Sequence, residues 1–388
     1  MDLIKILTEL LSRPSITPDD AGCLEFIRRI LPSYEARYVD FTGNEKDYGV
    51  KNLWLRRRYG SGAHIAFAGH VDVVPAGSGW DSEPFNPIQK DGFIYGRGAQ
   101  DMKSGVAAFV AACEQLEGFI ASGKSEFDGT ISLILTSDEE GEGKHGTLEV
   151  LNLMKSEGAL PDFAVVAEPT CESVLGDSLK VGRRGSINGK ISIIGKQGHA
   201  AYPEKCANPA HALALIFDKF AGVDLDSGSE FFAPSKLVIT DIRGGMEVTN
   251  VTPERIDIMF NVRNSNLTDT DKVRSFLEAI LKDLDEGFSY DLSLRAGSKP
   301  FLTDKNSLIV RAMSDVIKRT LGVTPSLNTK GGTSDARYLS AFGVACVEFG
   351  VINDRIHAIN ERVSVKEVNG LKDVFLNLLI SIGQKKLK

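Results

Sequence analysis

The stretch that decides the fold is His64–Gly69, which reads HIAFAG and leads directly into His70 and Asp72 in the sequence GHVDVVP. Such a short apolar run between turn residues is typical of a strand that is buried on both faces. Two further runs have this character, Thr130–Thr136 (TISLILT) and Ala164–Ala167 (AVVA). Helical patterns alternate with these strands, so the sequence predicts an α/β fold whose sheet is covered by helices on both faces.

The predicted α/β elements continue on both sides of a segment with a different rhythm. Positions 106, 109, 110, 113 and 116 place apolar residues on one helix face, and the later elements are helices over Leu148–Lys155, Ser307–Thr320 and Val365–Gln384 and a buried strand over Val344–Phe349. The middle segment predicts the order β-α-β-β-α-β, as in the split βαβ arrangement, over these elements: Lys190–Ile194, Asn208–Phe220, Lys236–Ile242, Arg255–Arg263, a helix around 273–284 and a strand around 290–294. We therefore predict a discontinuous catalytic domain, 1–182 and 297–388, that carries an inserted α+β domain, 183–296.

Composition excludes several classes of protein. Hydrophobic residues make up 42% and charged residues 25% of the 388 residues, which is ordinary for a globular chain and unlike a disordered or collagen-like one. The net charge of −7 gives no general attraction to nucleic acid, and the sequence has no uncharged apolar run of the length that a membrane helix needs. The five scattered cysteines suggest reduced thiols, so we expect a cytoplasmic protein without nucleic-acid or membrane partners.

Candidate metal ligands follow the predicted strands. His70 follows the first strand, Glu139 and Glu140 (TSDEEGEG) follow the second, and Glu168 follows the third, while Asp101 opens a helix after a Gly-rich turn. Taken singly, each has an ordinary explanation: a capped turn, a solvated acidic loop, a strand end or a helix N-cap. Together they favour a ligand site, because the carboxyl ends of parallel strands meet at one edge of the sheet.

The residue types indicate the chemistry of this site. A set of His, Asp and Glu without Cys suits catalytic Zn²⁺, Co²⁺ or Mn²⁺ rather than a structural zinc. Two neighbouring metals need a bridging carboxylate, for which Asp101 is placed. Of the adjacent pair Glu139 and Glu140, one can bind metal while the other handles a proton. Asp72, two residues after His70, is placed to orient that imidazole.

Motifs along the whole chain resemble those of the M20 family of dinuclear zinc peptidases and deacylases. They are GHVDVVP, GRGAQDMKSG, TSDEEGEG, VVAEPT, GKQGHAAYP, GGTSDAR and IHAINE. The resemblance implies a mixed-sheet catalytic domain with an inserted ferredoxin-like dimerisation domain, and hence a homodimer. It also implies hydrolysis of an amide in a small N-succinyl amino acid, with another N-acyl-amino-acid hydrolase or carboxypeptidase of the family, or a non-enzymatic member, as the alternatives.

The resemblance implies two Zn²⁺ ions per subunit, for which Co²⁺ can substitute, held by this ligand set: His70 and Glu168 on one ion, Glu140 and His357 on the other, and Asp101 between them. Glu139 would be the general base and Asp72 the partner of His70. The peptide bond Asp101–Met102 would be cis. Spacing alone does not select His357, which taken singly reads as a surface residue.

The resemblance further implies that His199 reaches the partner's site and stabilises the oxyanion. It also implies that a set of residues contacts substrate: Arg183, Tyr202, Asn250, Arg263, Ser298, Gly332 and Thr333. Taken singly, His199 reads as a histidine in a turn, and either arginine could form an ordinary salt bridge. Gln100 and Ser104, which flank Asp101, depart from the pattern of the family, as do Thr252 and Asn264.

Overall fold

The computed structural model describes residues 1–42 and 49–383. The chain divides into two compact units. Unit 1 comprises Met1–Gly182, Thr303–Asn328 and Ser334–Lys388, and unit 2 comprises Arg183–Leu302 and Thr329–Thr333. The domain roles that the sequence suggests for 1–182, 183–296 and 297–388 stay predictions.

The described strands are β1 (Glu35–Tyr38), β2 (Phe41–Thr42), β3 (Gly49–Val50), β4 (Asn52–Arg58), β5 (His64–His70), β6 (Ile88–Lys90), β7 (Phe93–Tyr95), β8 (Thr130–Thr136), β9 (Phe163–Val166), β10 (Ser178–Lys180), β11 (Gly182–Arg183), β12 (Ser186–Ile194), β13 (Lys236–Gly244), β14 (Arg255–Arg263), β15 (Ser289–Ser298), β16 (Phe301–Leu302), β17 (Ser326–Asn328), β18 (Ala345–Glu348) and β19 (Arg362–Ser364). The α-helices are α1 (Leu3–Leu11), α2 (Cys23–Ile30), α3 (Lys103–Ala121), α4 (Thr147–Ser156), α5 (Pro209–Ala214), α6 (Thr270–Leu281), α7 (Leu308–Leu321), α8 (Ala336–Ala341) and α9 (Val365–Gly383).

Unit 1 is built on an eight-stranded mixed sheet in the order β1-β4-β8-β5-β9-β18-β10-β17. The four strands β8, β5, β9 and β18 are parallel to one another, so their carboxyl ends share one edge. The register pairs His70 with Thr136, the last residues of β5 and β8. The predicted α/β class with a mixed sheet is confirmed, and this central block holds three of the segments that carry candidate ligands.

Apolar packing fixes the central strands against the helices. Phe67 on β5 stacks on Phe109 of α3 and contacts Phe375 of α9, with ring centroids 5.4 and 5.2 Å apart. Helix α3 is the one helix among residues 1–42 and 49–383 that is long and apolar enough to cross a membrane, and 61% of its apolar window is buried in the fold. The predicted closing helix is confirmed over Val365–Gly383, and its last predicted residue, Gln384, lies outside the described residues.

Strand β4 and helix α2 are not predicted from the sequence. Strand β4 reads NLWLRRR, and its three arginines hide the strand pattern. Two of them lie over aromatic rings, Arg56 over Trp54 and Arg57 over Tyr59, so their charged ends stay near the surface while the strand pairs with β8. Helix α2 is short and amphipathic and also escapes prediction.

Unit 2 contains a four-stranded antiparallel sheet in the order β13-β14-β12-β15. The predicted β-α-β-β-α-β order is confirmed. The helix predicted over Asn208–Phe220 is wrong in its second half. Leu215 and Ile216 make i→i+3 hydrogen bonds that end α5 at Ala214, and a 3₁₀ turn, Phe217–Lys219, follows. This tighter path still buries Ile216 and Phe220 in the core of unit 2.

Candidate metal centre

His70 stands at the end of β5 with no exposed surface. Its Nε2 lies 3.2 Å from an Asp101 carboxylate oxygen and 3.9 Å from a Glu168 oxygen. Its Nδ1 lies 2.8 Å from the main-chain oxygen of Asp72 and 3.5 Å from the carboxylate of the same residue. The main-chain carbonyl of Asp72 therefore holds the ring at Nδ1, so that Nε2 faces the carboxylates of Asp101 and Glu168.

The carboxylate of Asp72 acts mainly on the neighbouring loop. It accepts a hydrogen bond from Thr17 at 2.6 Å and from the backbone amides of Glu139 and Glu140 at 3.4 and 3.1 Å. Because it is fully buried, these donors replace the water that the carboxylate would otherwise need. Asp72 thus orients His70 and also fixes the turn after β8 that carries the two glutamates.

Asp101 lies before α3 rather than at its N-cap. The helix begins at Lys103, and Met102 occupies the cap position without a side-chain hydrogen bond. The ordinary explanation of Asp101 as a capping residue is therefore wrong. Its carboxylate faces two histidines instead, 3.2 Å from His70 and 3.4 Å from His357. The peptide bond Asp101–Met102 is cis, as the family resemblance implies.

The adjacent glutamates diverge beyond β8. A carboxylate oxygen of Glu140 lies 2.9 Å from His357 Nε2. The ligand atoms of His70, Glu139 and Glu168 lie within 4.8 Å of one another, and so do those of His70, Asp101 and Glu140. The structure therefore brings all five predicted ligands and Glu139 together at the carboxyl edge of the unit 1 sheet.

Charge in the cluster is strongly unbalanced without a cation. Burial raises the pKa of Glu139 well above its ordinary value, and the negative charges of Asp335, Glu140 and Asp101 raise it further. Burial also raises the pKa of Glu168, together with the negative charges of Asp101 and Glu139. Hydrogen bonds to Asp101 and Glu140 raise the pKa of His357 to about 10.

The donor set fits two divalent cations. Four carboxylates and two imidazoles converge, and carboxylates that are largely withdrawn from solvent at this density need positive charge nearby. Oxygen and nitrogen donors without thiolate match Zn²⁺, Co²⁺ or Mn²⁺. Asp101 lies between the two histidines and is placed to share its carboxylate between two ions.

The other predicted functional residues belong to unit 2. His199 is exposed, and its Nδ1 accepts a hydrogen bond from the Ala201 amide at 3.0 Å. The Tyr202 ring meets the His199 ring edge-on, with centroids 5.7 Å apart, and Tyr202 is 52% exposed. The main-chain oxygen of Asn250 accepts from the Ala200 amide at 3.0 Å. This small group therefore presents polar side chains to solvent.

The predicted arginines of unit 2 differ from each other. Arg183 is buried and donates from Nη1 to the main-chain oxygens of Gly332 and Lys330, at 3.0 and 3.3 Å. It thereby holds the segment that carries Gly332 and Thr333. Arg263, at the end of β14, is exposed and makes no ion pair among residues 1–42 and 49–383. Ser298, at the end of β15, has a hydroxyl with no hydrogen-bond partner in the same part of the chain.

Arg97 and Glu361 are not predicted as functional residues from the sequence. Both are almost fully buried and form an ion pair of 2.7 Å beside Asp101. The signal that could have found them is positional, because Arg97 lies four residues before Asp101 and Glu361 lies four residues after His357. Neither residue follows a predicted strand, so the edge argument does not reach them.

Known proteins resemble this chain over most of its length. Residues 66–381 match the family model described as peptidase family M20/M25/M40. The chain is 55% identical over 381 residues to a succinyl-diaminopimelate desuccinylase of a Nitratiruptor species, covering 98% of this chain and 100% of the relative. It is also 55% identical over 379 residues to a desuccinylase of the same name from Sulfurimonas denitrificans, covering 98% and 99%.

A comparison with solved structures shows a similar fold. The crystal structure of aminopeptidase PepT from Bacillus cereus superposes with a TM-score of 0.79 over 98% of each chain, at 21% identity. At that identity the likeness concerns the fold alone. Together with the match of the family model over most of the sequence, these findings show that the chain belongs to peptidase family M20.

Proposed function

We propose that this protein hydrolyses N-succinyl-LL-2,6-diaminopimelate to succinate and LL-2,6-diaminopimelate, a step toward diaminopimelate and lysine. The observation that carries the proposal is the convergence of His70, Asp101, Glu140, Glu168 and His357 in a chain that is 55% identical to named desuccinylases over nearly its whole length. The family supports a metal-dependent amide hydrolase, and the relatives support the substrate.

The metal centre is proposed to take two Zn²⁺ ions, for which Co²⁺ can substitute. His70 and Glu168 would hold one ion, Glu140 and His357 the other, and Asp101 would bridge them. When bound, such ions polarise an amide carbonyl and lower the pKa of water to about 7. Glu139 then takes a proton from the attacking water and delivers it to the nitrogen of the leaving amine. Its position beside His70 and Glu168 supports this role.

Residues of unit 2 are proposed to bind the substrate and the developing charge. His199 donates a hydrogen bond to the oxyanion. The planar guanidinium groups of Arg183 and Arg263 suit a substrate with several carboxylates, because each can pair with a carboxylate through two donors. Tyr202, Asn250, Ser298, Gly332 and Thr333 complete the proposed contacts. The exposure of His199, Tyr202 and Arg263 supports a role in binding.

A homodimer is proposed to form through unit 2. Strand β13 is an edge strand, and Val238, Ile242 and Met259 on or beside it are each close to half exposed, at 49, 47 and 48%. Exposed apolar residues at a sheet edge favour pairing with another chain. A second copy of this chain has the same exposed apolar residues, so an isologous contact would bury those of both subunits. We place this homodimer in the bacterial cytoplasm.

The decisive experiment measures amide hydrolysis by chelator-stripped protein during Zn²⁺ titration. N-succinyl-diaminopimelate and N-acetylornithine are supplied in parallel, with a dipeptide as a third substrate. We expect metal-dependent release of succinate and no comparable turnover of the other two. Preferred turnover of acetylornithine or of the dipeptide would instead identify an acetylornithine deacetylase or a peptidase of the same family.

A further inference from the structure

His357 lies on an irregular segment. Three ligand-bearing stretches follow strands of the sheet, whereas residues 353–361 form turns between β18 and β19. Within this segment, His357 and Asn360 have positive φ angles of 59° and 55°. Left-handed backbone is uncommon for residues other than glycine, although His and Asn adopt it more readily than most. Contacts with the surrounding chain help to hold such conformations, so we asked which contacts fix His357 opposite Asp101.

Glu361 supplies one end of those contacts. Its side chain is 1% exposed and accepts four hydrogen bonds, all from the turn that leads to Asp101. One oxygen accepts from Arg97 Nη1 at 2.7 Å and from the Gly98 amide at 2.9 Å. The other accepts from the amides of Gln100 and Asp101 at 2.7 and 3.1 Å. The end of the His357 segment is thus bound directly to the backbone of the bridging aspartate.

Arg97 extends this contact to a third segment. Its Nη2 donates to the main-chain oxygens of Ala76 and His357, at 3.2 and 3.3 Å. The guanidinium also lies over the Trp80 ring, 5.2 Å from its centroid. Arg97 therefore binds the backbone of His357 itself, the loop that follows β5, and Glu361.

Gln100 binds the beginning of the same segment. Its Nε2 donates to an Asp354 carboxylate oxygen at 2.5 Å, and its Oε1 accepts from the Arg355 amide at 2.8 Å. Gln100 is buried and directly precedes Asp101. Its departure from the family pattern thus coincides with a contact to the residues just before His357.

We propose that Arg97, Gln100 and Glu361 form a clasp that positions His357 against Asp101 and so determines how tightly the ion on the His357 side is held. The three side chains contact both ends and the middle of residues 353–361. His70 and Glu168 are instead positioned by strands β5 and β9. The proposal rests on the dinuclear metal site of the proposed function. It assigns these three as positioning residues, since none of them is a ligand.

The test measures Zn²⁺ affinity rather than activity. Chelator-stripped full-length protein is titrated with Zn²⁺ in competition with a chromophoric chelator, and the number and affinity of bound ions are compared between wild type and Gln100→Ala. We expect two ions in wild type. In the variant we expect one dissociation constant to rise by about 10–100-fold, as for other residues that orient metal ligands, and the other to change little.

Matched variants distinguish positioning from general destabilisation. Gln115→Ala removes a side-chain contact with Lys372 away from the site and should change neither constant. Gln100→Glu places a carboxylate against Asp354, so it should lower the affinity for the same Zn²⁺ ion. Adding Asp354→Asn to this variant restores a hydrogen-bond donor and should recover most of the affinity. In a His357→Ala background, Gln100→Ala should have no further effect on the remaining ion.

Three results would overturn the clasp. Equal weakening of both ions by Gln100→Ala, or no weakening of either, would show that the contacts serve the fold alone. Binding of fewer than two ions by wild type would instead contradict the dinuclear site, and the clasp with it. A cooperative unfolding transition recorded for each stripped variant confirms that the titrated protein is folded.

Discussion

Two regions of unit 1 supply the candidate ligands, and they are held in different ways. His70 ends β5 and Glu168 lies just after β9, and the positions of both strands are fixed by parallel pairing and by a core of stacked aromatic rings. His357 lies on a turn segment that is held by polar side chains, and its ring is about half exposed. The positions of the ligands in the first region are therefore set by the sheet, whereas the position of His357 depends on a few hydrogen bonds.

This difference indicates how the two regions should respond to substitution. We call β5 and β9, with His70 and Glu168, the strand side. Substitutions there should alter the charge or chemistry of a site that keeps its geometry, because backbone pairing holds the strands. We call residues 353–361, with His357, the segment side. Substitutions that affect it should alter the position of the His357 ring relative to Asp101.

The largest effect is expected for Glu139→Gln. The turn that carries Glu139 is fixed by the Asp72 carboxylate, so the variant should keep its shape and both metal ions. Loss of the proton carrier should lower kcat by about 10⁴-fold, the upper end of the range for a general base. Glu142→Gln in the same loop, where Glu142 is exposed, is the matched control and should keep full activity. Retention of most activity by Glu139→Gln would contradict the proposed base.

His199→Ala extends the contrast to unit 2. We expect kcat to fall by about 10²–10³-fold, as for loss of one oxyanion donor, with metal content unchanged. Mixing this variant with Glu139→Gln then tests the dimer. If His199 acts on the partner's site, each mixed dimer has one complete site, and random reassortment should restore about a quarter of the wild-type activity. No recovery after verified subunit exchange would place His199 in its own subunit's site.

Removing one histidine from each region should give unequal effects on stability. His70→Ala and His357→Ala should each weaken one Zn²⁺ ion by at least about 100-fold, since a ligand matters more than a residue that orients it. In the metal-free protein, His70→Ala should lower the free energy of unfolding by about 2–4 kcal/mol, because a fully buried side chain is lost. His357→Ala should cost about 1 kcal/mol or less, because solvent screens the contacts of its half-exposed ring with Asp101 and Glu140. Equal losses in urea denaturation would contradict the contrast.

His64, at the start of β5, should make the stability of the fold depend on pH. Burial lowers the pKa of His64 to about 4, and this residue bonds Ser132 rather than a metal. The His64 imidazole is protonated near pH 6.5 in the unfolded chain but stays neutral down to about pH 4 in the folded chain. The free energy of unfolding should therefore decrease as the pH falls from 6.5 toward 4. His64→Gln should remove up to about 3 kcal/mol of that loss in denaturation at pH 7 and pH 4. Parallel pH profiles for both proteins would contradict it.

Much of the strand side is predictable from the sequence. The apolar runs of β5, β8 and β9 identify themselves, and Thr130–Thr136 and Arg255–Arg263 are predicted to the residue. The edge rule for parallel strands then brings His70, Glu139, Glu140 and Glu168 together without knowledge of any relative. Asp101 is found for a partly wrong reason, because it does not cap the helix that follows it.

The segment side is not predictable in this way. No periodic pattern marks residues 353–361, and His357 is selected only through the resemblance to the M20 family. Its neighbours in space, Arg97 and Gln100, lie more than 250 residues away in the chain. Glu361 reads as one more acidic residue in a polar stretch, and only the folded chain shows that it is buried with four donors around it.

The shared-aspartate dinuclear site can be tested by anomalous X-ray scattering at the zinc edge, on crystals grown with Zn²⁺. We expect two peaks per chain, about 3.5–4 Å apart, with the Asp101 carboxylate between them. His70 and Glu168 should bind one ion, and Glu140 and His357 the other. A single peak, or two peaks that do not share Asp101, would contradict it.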